Sequence, residues 1–102
     1  MSATGLRNCS PLHLIINMEL EQLRAFVAVA EEKSYTKAGE RLYMSHSTMS
    51  RAVSALEDEF GVRLISRDNH VAGLTPNGEK LYEMAKELLN MADKIGENMK
   101  LG

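Results

Sequence analysis

A mainly α fold, with three short helices, a two-stranded ribbon and one long closing helix, is predicted by three observations. First, Met49, Val53, Leu56 and Phe60 step by four, three and four, which makes a buried helical stripe. Second, Gly61 ends that helix and two short extended pieces follow, 62–66 and 71–74, around the polar turn Arg67-Asp68-Asn69-His70. Third, Thr75-Pro76 supplies a cap followed by Pro at the first helical position, and apolar residues then recur at steps of three and four as far as Met99. Together they describe a winged helix-turn-helix, with residues 18–75 as the winged body and 76–102 as a linker helix.

The first helix is expected over about Glu19 to Lys33. Leu20, Leu23, Val27 and Ala30 face inward with Phe26 beside them, while Glu21, Arg24, Glu31 and Glu32 face water. Ser34 is placed to cap a second helix from about Thr36 to Leu42, which buries Ala38 and Leu42. Gly39 within so short a helix costs about 1 kcal/mol relative to Ala and is expected to admit a neighbouring helix. Tyr43-Met44 make the tight turn. Ser45 caps the third helix, which runs to about Phe60.

That third helix has two unlike faces. Away from the apolar stripe stand Ser47, Ser50, Arg51 and Ser54, short hydrogen-bonding groups with one cation. Such a surface can approach the floor and phosphate walls of a DNA major groove.

In the last helix Gly78, Leu81, Ala85, Leu88, Ala92, Ile95 and Met99 form a heptad-like seam in which small and large residues alternate. A 25-residue helix is about 37 Å long, more than one small domain covers. The expectation is a homodimer paired through Leu81, Ala85, Leu88, Ala92, Ile95 and Met99. Tyr82, Met84, Leu89 and Met91 form a second apolar margin expected to pack on the protein's own body.

The chain has 102 residues with a net charge of −2 and 25% charged side chains, which suits a globular domain rather than a disordered one. An acidic balance argues mildly against a nucleic-acid partner, but distribution matters more than the sum. Between Ser34 and Arg67 the cations Lys37, Arg41, Arg51, Arg63 and Arg67 outnumber Glu40, Glu57, Asp58 and Glu59, and three of those acids sit at the far end of the third helix. The acids elsewhere, Glu19, Glu21, Glu31, Glu32 and those after Glu79, can sit far from the DNA. Cys9 is the one cysteine, so no internal disulfide forms and a cytoplasmic setting is expected. No apolar run approaches bilayer length, so no membrane partner is expected. Residues 1–17 show neither helical nor strand periodicity and read as an unstructured upstream extension or cloning remnant, with Met18 as the natural start. The rival is an N-terminal arm touching DNA or a partner.

His13, His46 and His70 occur without a nucleophile–base pair, metal-ligand spacing or phosphate-cradling glycine loop. No enzyme, metal or cofactor is expected.

Phe26 to Ala38, then Arg41-Leu42, Met44-Ser45, Met49-Ser50-Arg51, Leu56-Glu57, Phe60 to Leu64, Arg67 and Leu74-Thr75-Pro76-Asn77-Gly78 closely resemble the N-terminal domain of LysR-type transcriptional regulators. The resemblance covers about Met18 to Lys100 without an internal gap. It implies a winged helix-turn-helix and a linker helix that pairs two subunits. It also implies that Ser34, Thr36 and Lys37 meet phosphate, that His46, Ser47, Ser50 and Arg51 lie in or beside the major groove, and that Arg67 in the wing reaches the backbone or minor groove. Ser45 and Thr48 complete the expected DNA-facing set. The expected site is double-stranded DNA carrying an interrupted inverted repeat.

Two departures matter. His46-Ser47 stand where the family usually has Gln followed by Pro or Ser, and Thr48 where Ala is common, so the family's base preferences do not transfer. The family's effector-binding domain, which would follow the linker helix, has no counterpart in these residues, so no small-molecule effector is expected here. The alternative function is that of a truncated regulator, an interaction module that heterodimerises with full-length relatives and antagonises them.

Overall fold

The computed structural model describes residues 18–66 and 73–101. The expected extension 1–17, the wing tip 67–72 and with it Arg67 lie outside the described residues. In order the elements are α1 (Leu20–Glu32), α2 (Tyr35–Leu42), α3 (His46–Phe60), β1 (Ile65–Ser66), β2 (Gly73–Leu74) and α4 (Pro76–Leu101). The strands pair antiparallel, Ile65 opposite Leu74 and Ser66 opposite Gly73. This is the winged helix-turn-helix with a long last helix that the sequence predicts.

Local chemistry sets the helix ends. The Gln22 side chain accepts from the Glu19 amide at 3.0 Å where α1 begins. Ser34 Oγ accepts from the Lys37 amide at 3.1 Å, and Ser45 Oγ accepts from the Thr48 amide at 3.1 Å. Thr75 Oγ1 accepts from the Gly78 amide at 3.0 Å. Each satisfies a donor that the first helical turn leaves without a partner. Lys33 and Tyr43 end α1 and α2 at φ of 56° and 59°, where L-residues other than Asn and Asp are uncommon. Gly61 ends α3 at φ 68° without that penalty.

α1 is the central helix. It packs against α2, α3 and α4, so Leu23 and the whole run Ala25–Ala30 are buried, a wider face than the single stripe read from spacing. Leu20, expected inward, is exposed. Met49, Val53 and Leu56 of α3 are fully buried, with Leu64 and Ile65 closing the core from below.

Two glycines hold short distances. A Cβ on Gly39 would stand 2.5 Å from the Met44 carbonyl oxygen and 3.5 Å from Met49 Cγ, so this glycine makes room chiefly for the chain reversal after α2 and faces α3 as well. A Cβ on Gly78 would overlap the Leu64 carbonyl oxygen, which lets α4 begin hard against the wing.

Glu57 has a role that spacing does not reveal. Its carboxylate accepts from the amides of Leu64 and Ile65 at 2.8 and 3.2 Å, and its side chain is 10% exposed. Unlike Asp58 and Glu59 beside it, Glu57 is a strut between α3 and β1. Replacing Glu57 by Ala strands two amides whose acceptor was charged and should lower unfolding free energy by about 2 kcal/mol, whereas Glu57→Gln retains an acceptor and loses less. Urea unfolding of both variants measures the difference.

Candidate nucleic-acid interface

The N-termini of α2 and α3 lie side by side, as the rings of their first residues show: the Tyr35 and His46 centroids are 5.5 Å apart. Thr36 and Lys37 are exposed on the first turn of α2. Ser45, His46, Ser47, Thr48 and Arg51 are exposed on α3, and Ser50 and Ser34 are half-buried. The polar residues of α3 point away from the buried Met49, Val53 and Leu56, so one helix serves the core with one side and offers the other outward. Ser45 and Thr48 are partly committed, since their hydroxyls lie 2.9 Å apart across the cap.

The charge around this face differs from the sequence expectation. Arg41 is engaged by Glu31 at 2.9 Å and Glu32 at 3.4 Å, and Arg63 lies 3.9 Å from Glu57. Those two cations are balanced within the fold. Glu19 and Glu21 lie close to α3; with Gln22, Thr48 and Arg51 they line a shallow groove between α1 and α3.

Away from that face, a polar network ties α4 to the body. Tyr82 donates from its hydroxyl to Glu31 at 2.7 Å, and Arg24 pairs with Asp93 at 2.9 Å. The hydrogen bond from Tyr82 above all, with Arg41 adding to it, holds the Glu31 carboxyl below the usual carboxylate range against the opposing effect of burial. The Tyr82 hydroxyl is correspondingly raised by the bond to Glu31. Between these polar ends Ala85 and Leu89 are buried against the protein's own core.

The expected dimer seam therefore divides. Gly78 and Ala85 turn inward, Ala85 being 2% exposed, and Leu81 and Ala92 are half-buried. Leu88, Ile95 and Met99 remain exposed, and Met84 and Met91, expected on the inward margin, are exposed beside them. Tyr82 and Leu89 of that margin do pack inward. The reason is geometric. On a 3.6-residue helix the Gly78/Ala85/Ala92 row and the Met84/Met91 row flank Leu88 and Ile95 on opposite sides, and the body covers the small-residue side.

Residues 20–79 match the model of the bacterial regulatory helix-turn-helix proteins of the lysR family. The chain belongs to that family. It is 41% identical over 78 residues to the HTH-type transcriptional regulator BenM of Acinetobacter baylyi, covering 76% of this chain and 26% of BenM. It is likewise 41% identical over 78 residues to the HTH-type transcriptional activator AllS of Klebsiella pneumoniae, covering 76% of this chain and 29% of AllS. The chain thus spans about a quarter of the length of the curated relatives it matches. Among solved structures, the DNA-binding domain of BenM in complex with catB site 1 DNA superposes with a TM-score of 0.78 at 40% identity, over 81% of this chain and 92% of that one. The complex of the CbnR DNA-binding domain with DNA gives 0.76 at 34% identity, over 82% and 97%.

The strut role of Glu57 and the outward side of Met84 and Met91 differ from the sequence expectation. Met84 and Met91 carried a usable signal, their a/d spacing with Leu88 and Ile95; Glu57 carried none, because its partners lie beyond a chain reversal.

The Glu31 network gives a test of its own. A group whose pKa is depressed on folding contributes stability above its ordinary pKa and loses it as pH falls through the folded value. Tyr82→Phe should therefore raise the Glu31 pKa toward the ordinary carboxylate value and reduce the stability that ionised Glu31 contributes above that value. A carboxyl-detected NMR titration of both proteins reads the shift.

Proposed function

We propose that the chain is a sequence-specific double-stranded DNA-binding module that acts as a homodimer in transcription regulation, with α3 in the major groove. The observation that carries this reading is the two-sided α3. Its Met49/Val53/Leu56 side is locked in the core while His46, Ser47, Ser50 and Arg51 stand outward beside the start of α2. Family membership supports it, as does the likeness to domains solved with DNA.

In this reading Thr36 and Lys37 meet phosphate, with α2's N-terminal amides behind them, held in place by the Ser34 cap. Ser45 and Thr48 shape the tip of α3. His46, Ser47 and Ser50 approach base edges, and Arg51, one turn further along, reaches phosphate. Arg67 contributes from the wing. Arg41 and Arg63 add little, because their charges are met by Glu31, Glu32 and Glu57, and Glu19 and Glu21 beside Arg51 oppose the DNA. Affinity is therefore modest and rests on few phosphate contacts.

Pairing runs through the exposed row Met84, Leu88, Met91, Ile95 and Met99. Charges on its free flank favour an antiparallel partner. Lys80, Glu87 and Lys94 repeat every seven residues there. An antiparallel helix sets Glu87 opposite Lys94 of the partner subunit, and the reverse, whereas a parallel one sets these charges against Ala92 and Met99. The antiparallel pair also brings Ile95 and Met99 of the partner subunit to the apolar groove lined by Met18, Phe60, Val62, Leu64, Leu81 and Met84.

Selection of bound sequences from random duplex DNA tests the DNA reading. An enriched inverted repeat is expected, and no enrichment at low salt rejects it. On the selected site, Arg51→Ala should weaken all sequences alike and reduce the salt slope by about one unit. A loss of about 1–3 kcal/mol confined to sites bearing one guanine would make Arg51 a base reader instead.

Leu88→Asp puts an unpaired charge into the seam and should yield a monomer with helicity largely kept, since the core lies elsewhere. Glu87→Lys and Lys94→Glu should each weaken the dimer, and the double exchange should restore it. Sedimentation showing an unchanged dimer for Leu88→Asp rejects this seam; failure of the double exchange to restore pairing rejects the antiparallel arrangement.

A further inference from the structure

Tyr35 and His46 are the first residues of α2 and α3, and their rings meet with centroids 5.5 Å apart and planes tilted by 47°. The two rings have unequal footing. Tyr35 is half-buried and packs against the hydrophobic core. His46 is exposed at the tip of the outward-facing helix. Among the described residues no hydrogen bond or ion pair holds the imidazole, and the Tyr35 ring lies against it.

We infer that Tyr35 is a specificity-determining residue that acts through His46, fixing the direction of the imidazole while touching no base itself. The inference rests on the DNA-reading role proposed for α3. An exposed His at a helix start has several staggered χ1 wells and a broad χ2. Its nitrogens, one donor and one acceptor in the neutral ring, discriminate between base edges only when aimed, because hydrogen bonds weaken steeply off line. A tilted aromatic contact is a favoured geometry, and an anchored ring selects among those wells before DNA arrives. Pre-ordering of this kind lowers the cost of immobilising the reading group on binding. The contact also crosses from the phosphate-facing helix to the base-facing one, so the position of α2 on the backbone is felt at the base edge.

The test is random-duplex selection with the wild-type chain, Tyr35→Leu, His46→Ala and the double variant Tyr35→Leu/His46→Ala, with a salt titration and a thermal melt of each. His46→Ala should flatten base preference at one position of each half-site. Tyr35→Leu keeps an apolar anchor but removes the flat face; it should weaken preference at that same position by about three- to tenfold, the scale of one aromatic pair. Other positions and the salt slope should not change. The double variant should be no flatter than His46→Ala alone.

Tyr35→Leu that leaves this preference intact overturns the inference, as does a uniform loss on all sequences, which is the signature of damaged packing. His46→Ala without effect at any position also overturns it while leaving α3 as a reading helix through its other residues. Failure of the wild-type chain to select any sequence is a different result and defeats the DNA reading itself.

Discussion

The carboxylate of Glu57, accepting from the amides of Leu64 and Ile65, is the joint on which the two working helices depend. It binds the end of α3 to the strand that follows. The carbonyl of that same Leu64 accepts from the Thr75 amide at 3.1 Å and lies against Gly78 at the start of α4. Thr75 completes the junction, donating from its hydroxyl to the Arg63 carbonyl at 2.6 Å. A short run of backbone thus carries α3 on one side and α4 on the other. The proposed reading face and the proposed seam are held in one relation by half-buried hydrogen bonds, where a long flexible linker would leave them independent.

Charge is used in the same economical way. The surface acids that make the chain net negative are partly spent on internal order: Glu31 and Glu32 on Arg41, Glu31 also on Tyr82, and Asp93 on Arg24. Exposed pairs of this kind contribute little energy singly, but here they mark the edges of the α1–α4 contact over Ala85 and Leu89. Around the starts of α2 and α3 the exposed cations Lys37 and Arg51 remain, with Glu19 and Glu21 lining the groove beside Arg51.

The helix starts and stops were legible in the sequence because they rest on chemistry within a few residues: Ser34, Ser45 and Thr75 as caps, Gly61 as terminator. The α3 stripe was legible for the same reason, since its period is its own. The inward and outward sides of α4 were not. Two rows flank Leu88 and Ile95, one small and one methionine, and both are apolar; only the position of the body decides which is covered. Glu57 was equally silent, because its partners lie across a turn and an acid near a helix end reads as surface. The closeness of Glu19 and Glu21 to α3 was not legible either, because proximity between the start of α1 and α3 is a tertiary fact.

The central claim is that one body presents α3 outward and pairs through α4, so that two copies read DNA about a two-fold axis. Hydroxyl-radical footprinting of the purified chain on its selected duplex tests it most directly. Two protected stretches are expected on one face of the duplex, related by two-fold symmetry and centred about one helical turn, near 10 base pairs, apart. A single protected stretch covering one unrepeated half-site, at concentrations that saturate the dimer, contradicts it.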